Sequence, residues 1–187
     1  MKIRSIVFLL VSTLLTGCVA AVVAGAAVGM VGYDRRSVAT IESDARIFHK
    51  AHTAIVKNPR FRESRINVSS FNKVVLLVGQ TPTASLRVLA EKIAQNTPNV
   101  TRVYNEISID YPITITQQTK DAWLTSQVRS SMLTQNGLES GSIRIVTENS
   151  VVYLMGQATH EQANIAVYVA RQVKGVMKVV KVFQYIV

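Results

Sequence analysis

Apolar and polar positions along the chain follow two alternating periods, and the same succession occurs twice. Ile47, Ala51 and Ile55 recur every four residues, as do Leu124, Val128 and Met132, displaced by 77 positions. A stripe at that spacing predicts an amphipathic helix lying on a core. Asp44 and Asp121 stand near the start of each, where a carboxylate suits the helix dipole. The period then changes to two. Arg65-Ile66-Asn67-Val68 and Ser142-Ile143-Arg144-Ile145 alternate like half-buried strands, turns follow at Asn72-Lys73 and Asn149-Ser150, and two apolar runs, Val74–Gln80 and Val151–Gln157, come next. Each pair predicts a β-hairpin whose second strand is buried and stopped by a Gly, Gly79 or Gly156. Helical spacing returns over Pro82–Asn96 and Thr159–Lys174. After the loss of one residue in the following turn, Val100, Val103, Ile107 and Ile109 match Val176, Val179, Phe183 and Tyr185 as a last strand. The order is helix, strand, strand, helix, strand, twice. That is an α+β chain of two tandem modules, residues 43–110 and 120–187.

The first residues obey neither period. Met1-Lys2-Ile3-Arg4 is basic, Ser5–Leu15 is apolar, and Leu15-Thr16-Gly17-Cys18 places the single cysteine of the chain after two small residues. This resembles a bacterial lipobox. The resemblance implies a signal peptide over residues 1–17, cleavage before Cys18, and acyl chains on Cys18. Several chains anchor durably where one is marginal. Val19 after the cysteine implies delivery to the outer membrane, facing the periplasm. The competing reading is an uncleaved membrane span, because apolar sequence continues to Tyr33. Residues 18–42 read as a lipidated tether.

Composition narrows the class. The 187 residues are 48% hydrophobic and 17% charged, enough for two small domains that need each other's surface. A net charge of +10 suggests an anionic partner. One cysteine permits neither an intramolecular disulfide nor a cysteine-based metal site.

The hairpin with Gly79-Gln80 and Gly156-Gln157, the small-residue second helix, and the entries Val100–Val103 and Val176–Val179 together resemble the BON domain. With the lipobox, the resemblance covers nearly the whole chain and extends to dual-BON outer-membrane lipoproteins. It implies αββαβ modules, each with a three-stranded mixed sheet and two helices on one face. It also implies a phospholipid-interacting protein that supports outer-membrane integrity, is associated with division sites, and has no known catalysis.

Differences between the copies carry the functional reading. Off the apolar stripe, the first helix presents Arg46, Lys50, Thr53 and Lys57 in copy 1, but Trp123, Gln127, Ser130 and Thr134 in copy 2. A tryptophan suits the headgroup level of a bilayer, and Lys120 and Arg129 are placed to meet acidic headgroups. The candidate phospholipid contacts are therefore Lys120, Trp123, Leu124, Gln127, Val128 and Arg129, with an anionic, phosphatidylglycerol-like membrane as partner. The other reading has Trp123 packing between the modules or capping its own core. The last strand of copy 2 carries Val180, Val182 and Ile186 where copy 1 has polar residues, so that face is expected to dock on copy 1 or on the tether.

Catalytic chemistry is not indicated. His49 and His52 share a helix face without an evident third ligand, and no phosphate loop, paired carboxylates or nucleophile elbow occurs. No cofactor is implied. Nucleic acid fits the charge but not the export signal. The alternative to lipid binding is a protein-interaction adaptor for an envelope or peptidoglycan-remodelling partner.

Overall fold

The computed structural model describes residues 36–187. The lipobox, Cys18 and most of the tether lie outside the described residues. Module 1 runs α1 (Val38–Val56), β1 (Arg65–Phe71), β2 (Val74–Thr81), α2 (Ala84–Gln95) and β3 (Arg102–Ile109). Module 2 repeats this as α3 (Ile115–Leu133), β4 (Ile143–Glu148), β5 (Val151–Ala158), α4 (His160–Gln172) and β6 (Lys178–Tyr185). In each, the second strand is central, antiparallel to the first and parallel to the third. The parallel pair needs a crossover, which the second helix supplies. Both first helices start ahead of their stripes, with Ser37 and Thr114 as N-caps accepting from the backbone N–H three residues on. Residues 38–42, read as tether, are therefore helix.

Successive strand residues point to opposite faces, and here both faces are buried. Val75 and Leu77 join Ile47, Ala51 and Ile55 beneath the helices of module 1. Val152 and Leu154 join Val128, Met132 and Ala166 beneath those of module 2. The alternate residues, Val74, Leu76 and Val78 with Tyr153, Met155 and Val182, form a third core between the sheets. The modules are thus stacked sheet on sheet in four layers, helices outermost on both sides. Val180 and Val182 sit in that central core, docked on copy 1, while Ile186 is exposed.

Two sequence expectations change. The first concerns the glycines, which do not stop their strands, since β2 and β5 continue two residues past them. A Cβ on Gly79 would stand 2.0 Å from the Arg65 carbonyl oxygen, and one on Gly156 2.2 Å from that of Ser142. The glycines let the opposing strand start against them. Gly79 also has φ +127°.

The second concerns the two aspartates, which lie in the seventh position of their helices, too deep to serve the dipole. They hold the hairpin turns instead. Asp44 accepts from the backbone N–H of Asn72 and Lys73 at 2.6 and 2.8 Å, and Asp121 from Asn149 and Ser150 at 2.7 and 2.8 Å. All four turn residues have positive φ, the two-residue hairpin geometry. Asp44 also pairs with Arg36 at 2.7 Å, whose guanidinium lies 4.0 Å over the Phe71 ring.

Candidate functional site

The stripe that builds α3 turns Leu124, Val128 and Met132 inward to full burial. Leu124 and Val128 are therefore corrected from lipid contacts to core residues, since no surface can reach them. Arg129 is corrected as well. Its Nη1 donates to the carbonyls of Ser140 and Ile143 at 3.2 and 2.9 Å, tying α3 to the start of β4. Burial lowers its pKa. Held this way, it is a brace for the chain rather than a cation offered to headgroups.

Lys120, Trp123 and Gln127 remain exposed on α3. Trp123 is 53% exposed and takes no part in the central core, so the interdomain reading of this residue does not hold. With Asp121 buried in its turn and Arg129 braced, Lys120 is the one freely exposed charge on the helix. Ile115, Trp123 and Leu133 are its exposed large apolar residues, spread over about 27 Å of helix.

Trp123 lines two open depressions. One, of about 580 Å³, continues along the helix to Ile115 and Lys120. The other, of about 430 Å³, is a groove between α3 and α4, with Gln127 and Thr134 facing Tyr168 and Lys174. Tyr168 is 65% exposed. The surface therefore has two half-free aromatic rings on neighbouring helices, polar amides and hydroxyls between them, and lysines at its edges.

Sequence reasoning missed Tyr168, Ile115 and Lys174 as members of this surface. The signal for Tyr168 was present: the displacement of 77 pairs it with Glu91, an exchange of charge for an aromatic ring like that of Arg46 for Trp123. Nothing in spacing alone brings α4 beside α3. Among the described residues no cluster of potential metal ligands occurs and no helix is long and apolar enough to cross a membrane. His52 stacks on Phe48, ring centroids 5.3 Å apart.

Two αββαβ units, each with a mixed three-stranded sheet under two helices, define a chain built from one small α+β module used twice. The chain belongs to the BON domain family, which it matches over residues 43–111 and 120–186. Over 187 residues it is 37% identical to "Outer membrane lipoprotein DolP" of Haemophilus influenzae (strain ATCC 51907 / DSM 11121 / KW20 / Rd), covering 98% of this chain and 97% of that one. It is 36% identical over 154 residues to the "21 kDa hemolysin" of Actinobacillus pleuropneumoniae, covering 82% and 79%. An outer-membrane location for a lipid-anchored chain follows from the first likeness.

Proposed function

We propose that the protein is a non-catalytic membrane-surface module. Its acylated Cys18 holds it on the inner leaflet of the outer membrane, and α3 of module 2 rests on acidic, phosphatidylglycerol-like phospholipid. The carrying observation is Trp123, half-exposed on a helix face whose one free charge is Lys120. Such a face loses little hydration on contact, and an indole gains at the headgroup level. Tyr168 widens the contact to α4. Anchoring by acyl chains raises the local concentration of headgroups, so weak contacts suffice to bias the molecule toward acidic-lipid regions. A role in outer-membrane integrity, including at division sites where envelope layers are remodelled, is the consequence we infer.

The test is co-sedimentation of the folded body, residues 36–187, with phosphatidylglycerol and with zwitterionic vesicles. Acidic vesicles are expected to retain the wild type and to lose Trp123→Glu. Equal binding to both lipids, or full binding by the variant, refutes the reading.

A further inference from the structure

Module 1 carries four cations on its outer side that its fold does not require. Lys50 lies on α1, Lys57 caps it, and Arg60 and Arg62 flank the buried Phe61 in the short turn that follows. All four are exposed, and among the described residues their side chains make no ion pair or hydrogen bond. The helix ends, Val56 and Leu133, and the hairpin turns, Asn72 and Asn149, are both 77 residues apart, so the counterparts of the four are Gln127, Thr134, Gly137 and Glu139. The local backbone differs, with a short helical turn at Pro59–Phe61 in one module and at Ser140–Ser142 in the other, but module 2 makes the same connection without a positive charge at any of the four positions. Acidic groups nearby do not balance the four. Glu42 is taken by Arg46 and Glu91 accepts from Gln95 and Asn105, which leaves exposed Glu63 as the one acid of the three without such a partner.

The face also points away from the lipid site. In the four-layer stack α1 and α3 are outermost on opposite sides, and layers about 10 Å apart set their axes about 30 Å from each other. Charges are screened over about 8 Å at physiological ionic strength. A bilayer under α3 therefore exerts no pull on Lys50 or Lys57, and these cations are not a second grip on that membrane.

Their form indicates the partner. Specific protein interfaces are poor in lysine and centre on a buried anchor. Here the cations stand on flexible stems, with Lys50 and Lys57 about 10 Å apart along the helix axis, and the nearby Phe48 ring is already stacked on His52. Spaced, unpaired cations suit an extended polyanion gripped by many weak contacts. We propose that this face binds peptidoglycan, through the free carboxylates of its peptide stems, so that the protein reaches from the outer membrane to the wall. The direction of reach rests on the lipid-facing reading of α3, but the binding itself does not.

The experiment sediments the folded body, residues 36–187, with purified sacculi, with carboxylate-amidated sacculi and with phosphatidylglycerol vesicles. The variant carries the module 2 residues, Lys50→Gln, Lys57→Thr, Arg60→Gly and Arg62→Glu together, and its thermal melt is recorded. Wild type is expected to pellet with native but not amidated sacculi, less so as salt rises. The variant is expected to bind sacculi about tenfold more weakly or worse, the loss of several screened contacts, while keeping its melt and its vesicle binding. Trp123→Ala is expected to do the reverse. Wild type that fails to pellet, or a variant that pellets as well, overturns the proposal. Loss of vesicle binding in the variant also overturns it and reassigns the cations to lipid. Because vesicles are measured on the same preparation, a failure of the lipid reading is seen separately.

Discussion

Gln80 Nε2 donates to Glu148 Oε1 at 2.7 Å, from the central strand of module 1 to the last residue of an edge strand of module 2. Its own Oε1 accepts from the Ile113 N–H at 3.1 Å, so one side chain fastens both the partner sheet and the segment between modules. Arg65 Nη1 reaches the same Glu148 oxygen at 2.5 Å, and Asn67 the other at 3.1 Å. Glu148 is buried, and three donors compensate the loss of its hydration. At the far end of the interface, Asn72 and Gln184 exchange hydrogen bonds. The orientation of the modules is thus specified by polar pairs at both ends of an apolar strip.

Glu148→Ala strands the Arg65 and Gln80 donors in the interface. Breaking a buried ion pair by removing one partner costs about 3–5 kcal/mol. The expected result in urea unfolding is a loss at the lower end of that range, because Arg65 is a quarter exposed. Separation of a single transition into two is the accompanying sign that the modules have uncoupled.

The two turn-holding aspartates give a paired prediction. Asp44 and Asp121 each accept two backbone N–H groups of a left-handed turn, and hydrogen bonds to a charged group contribute about 1.5–3 kcal/mol. Alanine at either site is expected to cost about 3 kcal/mol in the same urea experiment. Asp44→Ala is the costlier, since Arg36 and Ser70 also bind that carboxylate, one of them as an ion pair, whereas Asp121 has the neutral Gln117 amide besides its turn.

Much of this architecture was legible in the sequence, because the period of apolar residues changes with each element and changes the same way twice. What was not legible is long-range. Asp44 meets its turn 28 and 29 residues away, and no spacing rule connects a helix interior to a hairpin tip. Gln80 seemed part of a strand stop, but its partner lies in the other module. On the candidate site, the stripe that predicts α3 already commits Leu124 and Val128 to the core, so counting them as contacts contradicted the pattern that found the helix. Trp123 stood out because its own module repeat supplies a basic comparison at Arg46, whereas Tyr168 needed the packing of α4 on α3.

Neighbouring residues on α3 separate stability from binding. Leu124→Ala removes a fully buried side chain and is expected to cost about 2–5 kcal/mol of stability. Trp123→Ala removes a half-exposed ring and is expected to change the melt little. Its vesicle affinity is expected to fall about tenfold, as partial withdrawal of an indole from water is worth roughly 1–2 kcal/mol. Lys120→Ala is expected to lose about 1 kcal/mol of binding on acidic vesicles alone, and that loss disappears at high salt. An equal stability loss at Trp123 and Leu124 contradicts this division.

The glycines of the two hairpins differ in a measurable way. Both exclude a Cβ by contact with a carbonyl of the opposing strand, but only Gly79 combines that with positive φ, at +127°. A clash and a strained backbone each cost about 1–3 kcal/mol. Gly79→Ala is therefore expected to destabilise by more than Gly156→Ala, each read from its urea midpoint. The reverse order shows that the β4 start yields less readily than the β1 start.

Tyr153 gives the interface a pH dependence at the alkaline end. Its phenol lies in the core between the sheets, and its pKa is pushed up to about 12, first by burial and then by the fields of Glu106 and Glu148. An unfolded tyrosine ionises near pH 10. Between about pH 10 and 12 the folded chain keeps a proton that the unfolded chain releases, so unfolding is favoured as pH rises through that window. The stabilising contribution is complete below pH 10 and is lost toward 12. Tyr153→Phe cannot ionise, so its urea midpoint is expected to fall less steeply with pH than that of wild type over the same window. The two curves are expected to run parallel from pH 7 to 9. Identical slopes above pH 10 would mean that the phenol ionises without penalty, which requires water to enter between the sheets.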